Sequence, residues 1–230
     1  MVKDLYILGS TGSIGRSTLK VIRKDKHQFS IKLLTTNNNI KKIIEQAIEF
    51  NVKKIVIYDK SGFGKFENQI KKNKIKAYFS TKQALKNNKK KTFLTINAIS
   101  GLDGLEPSLT IMKHTRNIAI ANKESIICGW KFIKNEMKKN NTKFIPLDSE
   151  HFSIWSLLKG EDINNVSQIY LTASGGPFLN KKLVNLKNIS QELALNHPNW
   201  KMGKKISIDS ATMMNKIFEV IEAVKIFNID

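Results

Sequence analysis

The 230-residue chain is 41% hydrophobic and carries a formal net charge of +20. The apolar fraction is sufficient for a buried core and excludes global disorder, and the length favours two domains over one. No stretch approaches the roughly 20 uncharged apolar residues that a membrane span needs, and the first residues show no secretion signal. Cys128 is the sole cysteine, which excludes an internal disulfide and favours a reducing compartment, the cytoplasm.

The positive charge is typical of proteins that bind nucleic acid. Such proteins usually gather their cations on one face and use arginine, whose guanidinium grips phosphates with paired hydrogen bonds. Here the arginines are only Arg16, Arg23 and Arg116, and lysines are spread along the whole chain beside asparagine and isoleucine. We interpret the charge as a compositional bias of solvated faces, with steering of anionic substrates as a side effect. No nucleic-acid or membrane partner is expected.

The first part of the chain alternates strand-like and helix-like segments. Apolar runs that predict strands lie at residues 5–8, 31–34, 54–58, 92–96, 117–121 and 144–147. Two of the segments between them, residues 13–23 and 40–50, place apolar side chains at helical spacing. This alternation predicts a Rossmann-like, doubly wound parallel α/β sheet over residues 1–147.

The sequence changes character after residue 147. Polar clusters become dense, a strand-like run follows at residues 168–172, and a long final helix is predicted to begin where Asp209 or Ser210 can cap it. We place a domain boundary at residue 148 and expect residues 148–230 to form part of an α+β domain. The strands that would close its core are missing, so we expect this chain to be a piece of a longer protein.

A glycine-rich segment, Gly9-Ser10-Thr11-Gly12-Ser13-Ile14-Gly15, joins the first predicted strand to the first predicted helix. Glycines three residues apart allow a tight turn and let a pyrophosphate approach the free N–H groups of the helix N-terminus. The spacing is G-x-x-G-x-x-G rather than G-x-G-x-x-G, so the motif alone also fits a strand–helix turn without a ligand. Its place at the start of the alternating pattern favours dinucleotide binding.

The second predicted strand bears on the choice of dinucleotide. NAD-binding folds normally place Asp or Glu after this strand, where it binds the ribose 2′-hydroxyl. Here the strand ends in Thr35-Thr36-Asn37-Asn38-Asn39, without a carboxylate that would repel a 2′-phosphate, and Lys41 and Lys42 follow. The sequence therefore predicts NADP rather than NAD.

Two groups of polar residues in the second part of the chain suit a metal and anion site. Asp148 and Glu150, two residues apart at the end of a predicted strand, can point the same way, and paired carboxylates without a cysteine nearby suit Mg²⁺ or Mn²⁺. On the final predicted helix, Asn215, Lys216 and Glu219 share a narrow polar arc. Each group alone also fits a solvated loop or an exposed helix face.

Three further segments offer candidate ligand-binding groups. Ser174-Gly175-Gly176 supplies a hydroxyl and a flexible backbone. The loop at residues 197–203 contains Trp200 and Met202, which are costly to expose unless they pack on a ligand or fill a gap in the core. Ala121-Asn122-Lys123-Glu124-Ser125 begins a helix directly after a strand, where ligands meet α/β sheets, although Asn122 or Ser125 also suits a simple helix cap.

Taken together, these segments resemble the 1-deoxy-D-xylulose 5-phosphate reductoisomerase family. The match is carried, in the family's order, by Gly9–Gly15, Ala121–Ser125, Asp148–His151, Ser174–Phe178, His197–Gly203 and Asp209–Lys216. The resemblance implies an NADPH-dependent oxidoreductase and isomerase that converts 1-deoxy-D-xylulose 5-phosphate, a phosphosugar, to 2-C-methyl-D-erythritol 4-phosphate. This is an early step of non-mevalonate isoprenoid biosynthesis. It also implies a homodimer.

The resemblance further implies a role for each matched residue. The ligands of Mg²⁺ or Mn²⁺, which acts as a Lewis acid, would be Asp148, Glu150 and Glu219, and Lys123 would join them as a catalytic residue. The substrate would contact Lys123, Ser149, Glu150, Ser174, His197, Ser210, Asn215, Lys216 and Glu219. NADPH would contact Thr11, Gly12, Ser13, Ile14, Asn37, Asn38, Asn39, Asn122, Glu124 and Gly203. A closing flap with Trp200 and Met202 would exclude water.

The chain departs from the family pattern at two points. Asn38 stands where the family often has a basic residue that meets the 2′-phosphate, which makes the NADPH preference less secure. Family members also continue beyond the length of this chain, with more of the catalytic domain and a helical C-terminal domain.

Three other functions fit parts of the sequence. A short-chain dehydrogenase needs Tyr-x-x-x-Lys on one helix, and Tyr78 and Lys82 have that spacing but fall at a predicted strand end and turn. A semialdehyde dehydrogenase needs a reactive cysteine, whereas Cys128 lies in an apolar helical stretch. A basic, non-catalytic nucleotide- or RNA-binding module would bind RNA with a strong salt dependence and need no metal.

Overall fold

The computed structural model describes residues 2–182, 186–187, 189–198 and 203–229. The contacts within it divide the chain into two units, Met1–Leu147 and Asp148–Asp230. Across the described ranges, no helix is both long and apolar enough to cross a membrane.

The first unit is built on a seven-stranded parallel sheet. Its strands are β1 (Lys3–Leu8), β2 (Phe29–Thr36), β3 (Lys54–Ile57), β4 (Lys76–Tyr78), β5 (Thr92–Asn97), β6 (Thr115–Ile120) and β7 (Lys143–Pro146). Their order is β4-β3-β2-β1-β5-β6-β7, and every neighbouring pair is parallel. The order reverses between β1 and β5, so the carboxyl ends of these two strands flank the switch point at which such sheets bind ligands. The predicted doubly wound α/β fold is confirmed.

Helices connect these strands and cover the sheet. They are α1 (Ser13–Lys24), α2 (Ile40–Glu49), α3 (Glu67–Lys72), α4 (Thr81–Leu85), α5 (Leu105–Ile111) and α6 (Lys123–Asn140). In the largest core cluster, alternate residues of the central strands, such as Leu5 and Ile7, pack with α2 residues at helical spacing, such as Ile40, Ile43 and Ala47. Burial of each side chain of this size contributes about 1.5–3 kcal/mol to the stability of the fold. Because the strand and helix periodicities place these side chains on facing surfaces, their burial holds the helix against the sheet.

The sequence pattern missed one strand of this sheet. β4 has only three residues, Lys76-Ala77-Tyr78, and none of them is fully buried. It is a strand because it pairs with the free edge of β3, where Ile55 lies opposite Ala77. A short edge strand has no apolar run of its own, and only the neighbouring backbone defines it.

The regular secondary structure in the described part of the second unit is all helical. Its helices are α7 (Ser149–Leu157), α8 (Gln191–Leu195), α9 (Lys204–Ala211) and α10 (Met214–Phe227), with short 3₁₀ turns at Ile163–Asn165 and Gly176–Phe178. The strand predicted at residues 168–172 is not formed. A strand requires a neighbour for its backbone groups, and no described segment of this unit pairs with it; Tyr170 within it is 80% exposed.

The predicted start of the final helix is wrong. Asp209 and Ser210 do not cap that helix but lie inside α9, which ends at Ala211. Met213 follows in a left-handed conformation, with φ at 62°, and α10 begins only at Met214. The N–H of Met213 donates to the carbonyl of Ser210, and the carbonyl of Met213 accepts from the N–H groups of Lys216 and Ile217. Met213 therefore closes one helix and opens the next.

Candidate active site

The glycine-rich segment forms the turn between β1 and α1 in the first unit. Gly9 has a φ of +73°, and a Cβ built on it would lie 2.8 Å from the carbonyl oxygen of Ala98, while a Cβ on Gly15 would overlap backbone atoms of Gly9 and Ser10. Side chains are therefore excluded at both positions. Gly12 is the N-cap of α1 and supplies no side-chain cap. Because the first N–H groups of a helix have no partner within it, this end of α1 presents donors to a ligand.

Polar side chains from β2 and α2 hold this turn in place. The buried Ser10 hydroxyl donates to Gln46 Oε1 at 2.7 Å, and Gln46 Nε2 donates back to the Ser10 carbonyl at 3.0 Å. The N–H of Gly9 donates to Thr35 Oγ1 at 2.8 Å. The sequence reasoning missed these supports. The signal was Gln46 itself, a polar residue on the otherwise apolar face of α2.

The predicted cofactor residues after β2 are all exposed. Asn37 and Asn38 lie in the connection to α2, and Asn39 is the N-cap of α2, where its side chain accepts from the N–H of Lys42 at 3.2 Å. The ammonium of Lys42 is 2.9 Å from Glu45. No carboxylate lies at the end of β2 itself, while Glu45 neutralises one of the two lysines that follow.

The segment after β6 begins α6 in the first unit. Asn122 is the N-cap residue, but its side chain does not cap the helix. Instead its Nδ2 donates to the carbonyl of Gly101 and to the hydroxyl of Ser125, at 2.5 and 2.6 Å. Asn122 thus ties the start of α6 to the connection after β5 and positions Lys123 and Glu124, which are half-buried.

Three carboxylates lie together in the second unit. Asp148, Glu150 and Glu219 each offer an oxygen, and these oxygens all lie within 4.8 Å of one another. Asp148 is the N-cap of α7, and its Oδ1 accepts from the N–H of Glu150 at 3.1 Å. The predicted strand-end geometry for this pair is wrong, because β7 already ends at Pro146. The first turn of α7, rather than strand alternation, brings the two carboxylates together.

A buried histidine connects the two helices that carry these carboxylates. His151 has no exposed surface; its Nδ1 lies 3.1 Å from Asp148 Oδ1, and its Nε2 lies 2.9 Å from the backbone carbonyl of Glu219. Glu222 Oε2 is 3.6 Å from Nδ1. Burial lowers the pKa of His151, but the hydrogen bond that its ring donates to Asp148 and the charge of Glu222 outweigh this effect, so the net shift is upward. His151 lies in a matched motif but was assigned no role from the sequence, and Glu222 was missed.

The carboxylates line a cavity of about 480 Å³ within the second unit. Lys216 contacts both the carbonyl of Thr172 and the Glu219 carboxylate, and Asn215 Nδ2 donates to Glu219 Oε1 at 2.5 Å. On another wall, Ser174 Oγ lies 2.9 Å from His197 Nε2. The cavity therefore combines acidic oxygens with hydroxyl, amide and ammonium donors, a set that can hold a cation beside an anion.

Most of the predicted catalytic and substrate-binding residues meet in this cavity. Those that line it are Asp148, Ser149, Glu150, Ser174, His197, Ser210, Asn215, Lys216 and Glu219. Lys123 belongs to the first unit, and Gly203 is the N-cap of α9. Asn199, Trp200, Lys201 and Met202, the predicted flap, lie outside the described residues. Gly175, part of a predicted ligand-binding segment, also lines it, and the lining residues that the sequence reasoning missed are Thr172, Ala173, Ile206 and Met213.

Two of the alternative functions lack the geometry that they need. Tyr78 ends β4, whereas Lys82 lies in α4, so the pair does not share the single helix of a short-chain dehydrogenase. Cys128 is exposed on α6 of the first unit, and it is not among the residues that line the cavity of the second unit.

Fold and site define an α/β protein that combines a Rossmann-like sheet with a carboxylate-lined cavity in one chain. Two family models match it: 1-deoxy-D-xylulose 5-phosphate reductoisomerase over residues 5–129, and the C-terminal domain of the same enzyme over residues 144–227. The chain belongs to the 1-deoxy-D-xylulose 5-phosphate reductoisomerase family, which confirms the resemblance predicted from its motifs.

Individual relatives extend over the whole chain. The reductoisomerase of Pelagibacter ubique (strain HTCC1062) is 54% identical over 231 residues, and that of Clostridium botulinum (strain Eklund 17B / Type B) is 44% identical over 232. Both alignments cover 100% of this chain and 60% of the relative. The chain thus spans about three fifths of the length of these curated relatives.

Solved structures of the family share this fold. A DOX-P reductoisomerase in complex with NADPH, fosmidomycin and magnesium superposes with a TM-score of 0.87 at 33% identity, and the Zymomonas mobilis enzyme in complex with NADPH gives 0.86 at 33%. Each match covers 100% of this chain and 59% of the solved chain.

Proposed function

We propose that this chain carries the dinucleotide-binding and metal-binding parts of a 1-deoxy-D-xylulose 5-phosphate reductoisomerase. The reaction rearranges the carbon skeleton of 1-deoxy-D-xylulose 5-phosphate and reduces the product with NADPH to 2-C-methyl-D-erythritol 4-phosphate, in non-mevalonate isoprenoid biosynthesis. The observation that carries this proposal is the convergence of Asp148, Glu150 and Glu219 within 4.8 Å in a cavity that also presents Ser210, Asn215 and Lys216.

The three carboxylates fit a hard divalent cation. They offer only oxygen atoms, the donors that Mg²⁺ and Mn²⁺ prefer. When bound there, the cation would supply Lewis-acid stabilisation of negative charge on substrate oxygens. His151 would orient the site, because it fixes the Asp148 carboxylate through one ring nitrogen and the α10 backbone at Glu219 through the other.

The donors beside the carboxylates fit the phosphate of the substrate. Ser210 stands on α9, Asn215 and Lys216 on the first turn of α10, and Ser174 on the turn that precedes Gly176. A Cβ on Gly176 would lie 2.7 Å from the Ser210 carbonyl, so a glycine is needed to bring this turn against α9. The Lys216 ammonium supplies the positive charge, and hydroxyl and amide groups complete the hydrogen bonds.

Further substrate contacts are proposed for Ser149, Glu150, His197 and Lys123. In the cavity, the His197 ring already exchanges a hydrogen bond with Ser174, so it is positioned for a substrate hydroxyl. Lys123 would act as a catalytic cation, although it stands in the first unit.

The first unit, residues 1–147, is proposed to bind NADPH, and residues 148–230 to bind metal and substrate. The N–H groups at the start of α1 would bind the pyrophosphate, with Thr11, Gly12, Ser13 and Ile14 in contact. The lack of a carboxylate at the end of β2 and the exposed Lys41 suit the 2′-phosphate. The remaining contacts would come from Asn37, Asn38, Asn39, Asn122, Glu124 and Gly203. The bound cofactor would supply the hydride.

A homodimer in the cytoplasm is proposed from the same family membership. The homodimer is what the resemblance implies, and the lone Cys128 fits a reducing compartment. Sedimentation of the purified protein tests the dimer directly.

Enzyme assays test the proposed function. NADPH oxidation is measured with 1-deoxy-D-xylulose 5-phosphate and Mn²⁺, for this chain and for a version extended to the length of its relatives. We expect Asp148→Asn and Glu219→Gln in the active version to lower turnover at least about 10²-fold and to weaken Mn²⁺ binding. Glu161→Gln, an exposed carboxylate outside the cavity, is the matched control.

Two results would contradict the proposed function. One is turnover that continues after Mn²⁺ and Mg²⁺ have been removed by chelation. The other is a lack of NADPH oxidation by both this chain and its extended version.

A further inference from the structure

We propose that the first unit contains a second anion site, at the amino ends of its strands, which binds a small polyphosphate ligand. The site is a cleft of about 700 Å³ whose lining includes Lys32, Lys53, Lys54, Lys89, Lys90 and Lys91. Asp4 is the only carboxylate among its lining residues. The residues that line it form the basic cleft.

The basic cleft lies at the opposite end of the sheet from the glycine turn. Lys53 and Lys54 stand at the start of β3, Lys89 to Lys91 directly precede β5, and Asp4 and Lys32 lie near the starts of β1 and β2. The glycine turn follows the carboxyl end of β1. Since β1 has six residues, the two positions are separated by about 20 Å at roughly 3.3 Å per residue. A ligand in the cleft would therefore not compete with a dinucleotide.

The floor of the basic cleft is fixed by neutral hydrogen-bond acceptors. Lys54 Nζ donates to Asn88 Oδ1 at 3.0 Å, and Asn88 Nδ2 donates to the hydroxyl of Tyr6, which is 1% exposed. Lys91 Nζ donates to the carbonyl of Asn140. These contacts hold two half-buried ammonium groups in place without cancelling their charge. The sequence reasoning gave Tyr6 and Asn88 no function.

The rim of the basic cleft is positive and largely uncompensated. Lys32 is 3.4 Å from Asp4, whereas Lys53, Lys89 and Lys90 are exposed and pair with no carboxylate of the described chain. The six lysines and one aspartate leave five positive charges around one concavity. Like charges at close range repel one another, and a multivalent anion relieves that repulsion.

The nearby His114 registers this positive field. The pKa of His114 is lowered, first by burial and then by the charge of Lys113, with further contributions from Lys54 and Lys91. His114 ends the 3₁₀ turn before β6 and is 8% exposed. Two of these charges, Lys54 and Lys91, line the cleft, so the titration of His114 serves as a probe of the cleft.

The dimensions and donors of the basic cleft favour a small polyphosphate over other anions. Its volume falls within the range of roughly 300–1,000 Å³ that is typical of small-molecule sites. Lysine acts as a point charge without the fixed fork of arginine, so the cleft suits a flexible chain of phosphates. A nucleic acid would require an extended basic stripe, and the cleft is closed by Tyr6 and Asn88 at its floor.

Calorimetric titration of the chain with inorganic tripolyphosphate tests this proposal. We expect Lys53→Gln/Lys89→Gln/Lys90→Gln, three changes on the exposed rim, to weaken binding at least about tenfold, and added salt to weaken binding to the unchanged protein. The control is Lys72→Gln/Lys82→Gln/Lys134→Gln, which removes the same charge from exposed positions outside the cleft and should leave the affinity within about twofold.

Two further measurements separate the basic cleft from the glycine turn and identify the source of the phosphates. Tripolyphosphate bound in the cleft should raise the pKa of the His114 imidazole, followed by NMR, whereas tripolyphosphate bound at the glycine turn should leave it unchanged. Tighter binding of ATP than of tripolyphosphate would assign the ligand as a nucleotide; equal affinities would assign the phosphate chain alone. Both outcomes support the site.

The proposal is overturned if both triple variants lose affinity equally, if tripolyphosphate leaves the pKa of the His114 imidazole unchanged, or if only a single-stranded RNA binds. The comparison of the two triple variants does not require NADPH to bind, so it stands even if the proposed function fails.

Discussion

The glycine turn of the first unit and the carboxylate cavity of the second are built in different ways. The turn is a continuous run of seven residues, Gly9–Gly15, whose shape follows from the strand before it and the helix after it. The cavity combines residues as far apart in sequence as Asp148 and Glu219, and His151 joins the helices that carry them. The glycine turn, a local site, depends on space for its backbone. The cavity, which combines distant residues, depends on a side chain, His151, that joins the helices carrying them.

The largest effect of a substitution is expected at Gly15 in the glycine turn. We expect Gly15→Ala to destabilise the chain by about 3 kcal/mol, because the new Cβ would overlap backbone that cannot move aside. Urea unfolding followed by circular dichroism measures the change. Gly64→Ala is the control, since a Cβ at Gly64 meets nothing within 4 Å. Wild-type stability of Gly15→Ala would show that the turn is not constrained by space.

The next largest effect is expected at His151, which joins the two helices that carry the carboxylates of the cavity. Loss of the ring in His151→Ala removes both hydrogen bonds and should weaken Mn²⁺ binding about 10–100-fold, as is typical of residues that orient metal ligands. Titration of Mn²⁺ by electron paramagnetic resonance measures it. His27→Ala, an exposed histidine in the first unit, is the control. Equal Mn²⁺ affinity in the two variants would show that His151 does not orient the metal ligands.

A smaller effect is expected at the break between α9 and α10. A left-handed conformation costs a non-glycine residue about 1 kcal/mol or more, so Met213→Gly should keep or slightly raise the melting temperature despite the loss of a large side chain. Met213→Val, whose branched Cβ tolerates this conformation poorly, should lower it. Thermal unfolding measures the melting temperature of both variants. A lower melting temperature for Met213→Gly than for Met213→Val would show that side-chain packing, not backbone conformation, determines the residue at this position.

The smallest effect is expected on the surface of the first unit, at the end of α1 opposite the glycine turn. Arg23 donates to both carboxylate oxygens of Glu49, at 2.5 and 2.9 Å. The hydrogen bonds from Arg23 lower the pKa of Glu49 below its usual 4.5, although burial opposes this. The pair therefore stabilises the fold above pH 4.5, and this contribution is lost as the pH falls through the lowered pKa.

Arg23→Gln tests that sign. The variant should melt slightly below the parent at pH 7, and the two melting curves should converge in acid, because the protonated Glu49 no longer pairs. A difference that persists at low pH would mean that Arg23 acts through its stacking near Phe50 rather than through charge.

The parts of the molecule that the sequence predicted are those in which the signal is local. Six of the seven strands appear as apolar runs, and α1 and α2 appear at their helical spacing, because each buries one face against the sheet. β4 could not be predicted, since only its pairing with β3 defines it. The strand expected at residues 168–172 is not formed, for the complementary reason. Its residues favour a strand, but no described segment of the second unit pairs with its backbone.

Taken by itself, the sequence determined the alternating sheet, the glycine turn and the residue types of the candidate site. The tertiary structure alone decided how Asp148 and Glu150 approach each other, through a helix cap rather than a strand end, and that Met213 divides the last helix. It also revealed His151, Gln46 and the basic cleft. Hydrophobic periodicity and turn residues act over a few positions, whereas hydrogen bonds and charge clusters join positions that only the folded chain brings within reach.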